Sequence, residues 1–173
     1  MTFRFKLFKA LNGINLFISS FFLFMVLMSF MAGGGYQALI SLVLFGAVCI
    51  HCVLSLYLQR ALQEPSFVLK ENTPGGVQIM GGLSILFGVF ILLGCIASLS
   101  QQDLFIKEAT SQLSDSQAAE IKGVIRKVFV GLLYFIILYS VSVIGNAVLS
   151  FYFLKQWKNR KDDDSDIDLD LDA

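Results

Sequence analysis

Four long apolar runs, Leu11–Ala32, Tyr36–Leu58, Val77–Leu99 and Val128–Leu154, occupy most of the chain, and none contains an Asp, Glu, Lys or Arg. A helix crosses the hydrocarbon core of a bilayer in about 20 residues, so each run is long enough. In lipid every backbone polar group must be satisfied internally, which makes runs of this kind helices. The expected fold class is all-α, a four-transmembrane-helix bundle. Helices are expected at about 11–32, 36–58, 77–99 and 116–157, with an outer loop at 100–115. Residues 1–10 form an N-terminal segment, 11–158 the membrane domain and 159–173 a disordered acidic tail. The apolar fraction, 56%, and the mean hydropathy, +0.74, lie above those of an ordinary soluble domain. Both prolines, Pro65 and Pro74, fall between the second and third runs and mark a loop.

The net charge of zero hides an asymmetry. Asp162 to Asp172 holds seven of the 13 acidic residues. The basic residues set the orientation. Arg4, Lys6, Lys9, Arg60, Lys70, Lys155, Lys158, Arg160 and Lys161 fall on one side of the alternating helices; Lys107, Lys122, Arg126 and Lys127 fall on the other. Nine against four puts both termini in the cytoplasm by the positive-inside rule, in a plasma or inner membrane. The first run is longer than the apolar core of a signal peptide. Cleavage after Ala32 would also place Phe30 where a small residue is wanted, so the run is read as a retained helix.

The chain reads as two tandem parallel hairpin repeats, 11–63 and 75–158. At an offset of 63, Gly13-Ile14-Asn15-Leu16-Phe17 aligns with Gly76-Val77-Gln78-Ile79-Met80. At an offset of 95, Val53-Leu54-Ser55-Leu56-Tyr57 aligns with Val148-Leu149-Ser150-Phe151-Tyr152, and His51 with Asn146. Two crossings per unit give both units the same orientation, related by an axis along the membrane normal. In the third connection, Ser114 with Gln117 three residues on resembles a helix start. The fourth helix is therefore expected to begin outside the membrane, with Arg126 and Lys127 at the outer interface.

Polar residues inside a membrane are the first candidates for a site. The candidates, one taken from each helix, are Asn15, His51, Gln78 and Asn146. Topology places all four in the cytoplasmic leaflet, His51 and Asn146 about two turns from their helix ends. They serve either as interhelical glue or as the lining of a polar cavity open to the cytoplasm. Glue is the simpler use.

Cys49-Ile50-His51-Cys52 is a C-x-x-C inside the second run. Four-helix membrane enzymes that pass electrons to quinone use such a pair as a disulfide near the outer surface. Here the match ends at the spacing, because the pair lies toward the reducing cytoplasm and the outer loops hold no cysteine. Three nearby ligands without a fourth are thin support for zinc, so neither metal nor cofactor is expected. Helix packing is the expected role. A face of small residues runs along the third helix through Gly81, Ser84, Gly88, Cys95 and Ser98; Gly131, Ser142 and Gly145 form another on the fourth. Such faces let backbones approach closely, within the bundle or against a second copy.

The tail alternates Asp with Ile and Leu. Its Asp-x-Asp-x-Asp spacing lacks the central Gly and closing Glu of a calcium loop. It reads as a solvated tail, with docking of a basic cytoplasmic partner as its functional use. The four apolar runs contain no carboxylate or lysine for an enzyme or an ion-coupled transporter to use. Small four-helix drug exporters rely on an embedded Glu, and tetraspanins on outer-loop cysteines; both features are missing. The chain is thus read as a non-catalytic membrane subunit or scaffold acting through helix association. The other reading is a small-solute or ion pathway built around the polar layer. The expected partners are the lipid bilayer and a second copy or another membrane protein; no nucleic acid is expected.

Overall fold

The computed structural model describes residues 2–64, 66–111 and 115–171, with side chains described except at 115–121 and 161–171. The chain is a four-helix transmembrane bundle. Its helices are α1 (Phe3–Met31), α2 (Gly35–Gln63), α3 (Thr73–Ser100), α4 (Gln102–Thr110) and α5 (Asp115–Leu171). All but α4 are long and apolar enough to span a membrane; in α5 the stretch that qualifies is Lys122–Arg160. At 1.5 Å per residue, α1 and α2, of 29 residues each, are about 43 Å long, against roughly 30 Å of hydrocarbon. They therefore continue well past the apolar runs.

The three glycines joining α1 and α2 make a tight turn because two of them take backbone angles closed to other residues. Gly33 has φ +93° and Gly35 φ +62°. A Cβ on Gly34 would lie 2.8 Å from the Ser29 carbonyl oxygen, so that position too needs a residue without a side chain.

Two expectations require correction. The 100–115 segment is not only loop: it contains α4, in which Ile106 is 1% exposed. Only one apolar side chain in that stretch needed cover, too few to show as a period of 3.6 in sequence. The expected helix end at 157 is also absent, since α5 continues to Leu171. No Gly or Pro follows Gly145 to stop it. The side chains of the acidic tail, and the proposed Ser114 cap, lie outside the described residues.

The chain divides into two compact units, Met1–Phe87 with Ser142–Ala173, and Gly88–Val141. In the second, Ser140 donates from its hydroxyl to the Gly88 carbonyl, and the Phe105 and Phe129 rings lie 5.7 Å apart. Arg126 and Asp103 pair at 3.5 Å, both well exposed, a contact that contributes little.

The first unit holds an aromatic cluster. Phe8 stacks on Phe153 with centroids 5.2 Å apart, and Phe5 meets the same ring edge-on at 5.4 Å. Leu58 and Val77 are fully buried beside them. Such ring pairs contribute about 0.5–1.5 kcal/mol each beyond their buried area. The α2–α3 loop folds back onto this cluster through Leu69, and Arg60 lies 4.7 Å over the Phe67 ring.

Candidate functional site

The polar side chains of the first unit meet in a sealed seam among α1, α2 and α5. Asn12, Asn15 and Ser19 fall at i, i+3 and i+7 on α1, one face of a helix. All three are fully buried. Asn146 of α5 donates from Nδ2 to Asn12 Oδ1 at 3.1 Å, and Asn12 donates to the Cys52 carbonyl of α2 at 3.0 Å. One level along α1, Ser142 donates to Asn15 Oδ1 at 2.9 Å. Asn15 Nδ2 returns a bond to the Ser142 carbonyl at 3.0 Å. The two residues thus exchange a reciprocal pair of bonds. Ser19 donates to the Asn15 carbonyl at 2.6 Å and accepts from Cys49 Sγ at 3.2 Å.

His51 occupies the other side of the seam, 1% exposed. Its Nε2 lies 3.3 Å from Ser150 Oγ. The ring sits against α3 where Gly81 has no side chain. A Cβ there would come within 3.0 Å of His51 Cε1 and 2.6 Å of Phe151 Cε1. The Gly81 position therefore lets two aromatic rings rest on the α3 backbone. Ser55 Oγ and Asn146 Oδ1 are buried without a hydrogen-bond partner among the described residues.

The four residues expected in one layer divide three to one. Asn15, His51 and Asn146 are buried together; Gln78 is exposed on α3. It lies only five residues from the start of α3, about 8 Å along the axis. His51 lies 12 residues from the end of α2, about 18 Å, or some three turns rather than two. The helices extend past the apolar runs, α2 to Gln63 and α3 back to Thr73, which changes both depths. Asn12 also belongs to the seam, and its i, i+3, i+7 spacing with Asn15 and Ser19 is the sequence signal for it.

The small-residue faces separate in the same way. Gly81, Ser84 and Gly88 are buried on α3, and Ser84 donates to the Met80 carbonyl at 2.8 Å. Ser142 joins the seam, and a Cβ on Gly145 would lie 3.8 Å from Leu11. Gly131 is exposed with nothing within 4 Å of a Cβ, so it marks no close approach. The C-x-x-C cysteines are free thiols with different neighbours: Cys49 bonds Ser19, and Cys52 Sγ lies 3.8 Å from Asn146 Nδ2.

Burial also tests the register of the aligned segments. At the offset of 95, α2 and α5 match closely. His51 and Asn146, Ser55 and Ser150, and Leu58 and Phe153 are buried; Tyr57 and Tyr152 are exposed. At the offset of 63, α1 and α3 disagree: Asn15 is buried where Gln78 is exposed, and Ile14 is exposed where Val77 is buried. The Asn15–Gln78 equivalence therefore fails on facing. Apolar residues of similar type align at several registers, and sequence identity alone does not choose among them.

Comparison with protein-family models, with curated proteins and with solved structures finds no match to this chain.

Proposed function

We propose that this chain is a non-catalytic membrane subunit or scaffold that works by helix association. The observation that carries the reading is the use made of its strongest polar side chains. Asn12, Asn15 and Asn146 are 0–1% exposed and spend their donors on neighbouring helices. A pathway needs polar groups turned toward a passing solute; these are turned toward one another. An amide unpaired in hydrocarbon costs several kcal/mol, so the seam holds the helices in one arrangement.

The surface left for association is apolar. On α1, Phe17, Phe21, Phe24 and Met28 form an exposed stripe at i, i+4, i+7 and i+11. Orientation follows from charge, with both termini cytoplasmic. The pathway reading draws its support from Ser55 Oγ and Asn146 Oδ1, two buried polar atoms without a hydrogen bond among the described residues.

Photo-crosslinking in intact membranes tests the proposal. A crosslinker replacing Phe21 should yield a discrete adduct with a second polypeptide or a second copy, and one replacing Ser19 should yield only internal crosslinks. A lipid smear alone from every exposed position of α1 would count against association.

A further inference from the structure

The residue that left the polar seam points to a different site. Gln78 lines a groove of roughly 600 Å³ together with Phe151, Leu154, Lys155, Lys158 and Asn159. On α5 these residues fall at i, i+3, i+4 and i+7, so Phe151, Leu154, Lys155 and Lys158 share one face. Polarity changes along that face. The apolar pair comes first and the cationic pair follows, over about 10 Å of helix axis. Among the described residues, the groove is lined by two ammonium groups, two amides and no carboxylate. Glu71 belongs to an adjoining groove that shares only Lys158 with this one.

We infer that this groove holds the headgroup of an anionic phospholipid, with the phosphate between Lys155 and Lys158 and the start of an acyl chain over Phe151 and Leu154. The gradient from apolar to cationic selects an amphiphile over a free anion, which would use only the lysine end. Gln78 and Asn159 offer donors to glycerol or phosphate oxygens. Basic pockets between transmembrane helices suit anionic headgroups, and each Lys near the membrane surface strengthens anionic-lipid binding severalfold. Gln78 then has a reason to be exposed near a helix end, where an amide facing only acyl chains would be costly. The inference stands independently of the association proposal.

Native mass spectrometry of the full chain in mild detergent tests it, with phosphatidylglycerol and phosphatidylcholine offered at equal concentration. Phosphatidylglycerol should be retained preferentially, at one molecule per chain. Lys155→Gln with Lys158→Gln should lower its affinity about ten- to thirtyfold, because the lysine contributions multiply. Gln78→Leu should lower it by a smaller factor. Lys6→Gln with Lys9→Gln removes the same charge from exposed positions outside the groove and should change it little. Equal retention of the two lipids, or equal losses in the two double variants, would overturn the site. Displacement by glycerol 3-phosphate, which has no acyl chain, would overturn the lipid assignment.

Discussion

Asn146 Nδ2 donates to Asn12 Oδ1 at 3.1 Å across the α1–α5 contact, and both side chains are sealed from solvent and lipid. The pair joins residues 134 positions apart in the chain. Replacing Asn146 with Leu leaves Asn12 Oδ1 without this donor, and a loss of about 1–3 kcal/mol is expected. In a double-mutant cycle with Asn12→Leu, the two losses should overlap by about 0.5–1.5 kcal/mol. Asn146→Leu with His51→Leu should couple less, because His51 bonds Ser150 instead. Ser55→Ala is the contrast. It removes a buried hydroxyl that has no partner among the described residues and should be neutral or slightly stabilising. Unfolding in detergent, followed by helical signal, measures all of these. Additivity between Asn12 and Asn146 would mean that the bond does not form.

Gly81 and Gly131 should respond in opposite ways to the same substitution. At Gly81 an added methyl meets Phe151 at 2.6 Å and His51 at 3.0 Å, so Gly81→Ala should cost about 1–3 kcal/mol. Phe151→Leu should recover part of that loss by removing the ring. At Gly131 a methyl meets nothing within 4 Å, and Ala is the better helix former, so Gly131→Ala should be neutral or stabilising. Thermal denaturation of the three variants checks the order.

Cys49 and Cys52 are free thiols packed among α1, α2 and α5. Changing both to Ala should lower stability by no more than about 2 kcal/mol and leave abundance and crosslinking from Phe21 near the parent level. Loss of crosslinking at normal abundance and normal stability would assign the pair a chemical role instead.

Orientation is checked by reporter fusions. A reporter joined after Asp172 should give a cytoplasmic signal, and one inserted between Thr110 and Ser116 the opposite. An external signal from the tail fusion would reverse the assignment drawn from the basic residues.

The number and class of the membrane-spanning helices are legible in the sequence because twenty-residue runs without charge have few other uses. Partners were less legible. Asn15, His51 and Asn146 stand out as strong polar groups against Leu and Phe, but the alignment and depth that group Gln78 with them say nothing of which way it faces. Facing depends on the phase of each helix, and where most residues are apolar the phase leaves little trace in hydropathy. The Asn12, Asn15, Ser19 spacing was the usable signal. The short helix α4 was invisible for a related reason, since Ile106 alone of its apolar residues is fully buried.

As a scaffold, the chain would use the seam to hold its helices together rather than to pass a solute. Reconstitution of the purified full chain into proteoliposomes, beside its Asn146→Leu variant, tests it most directly. Intact-mass analysis of the mild-detergent complex should show a stoichiometric second polypeptide or a second copy, weakened in the variant. Flux of small ions and neutral solutes should stay at the level of empty liposomes for both proteins. A monomeric chain that conducts a solute, with flux changed by Asn146→Leu, would contradict the account.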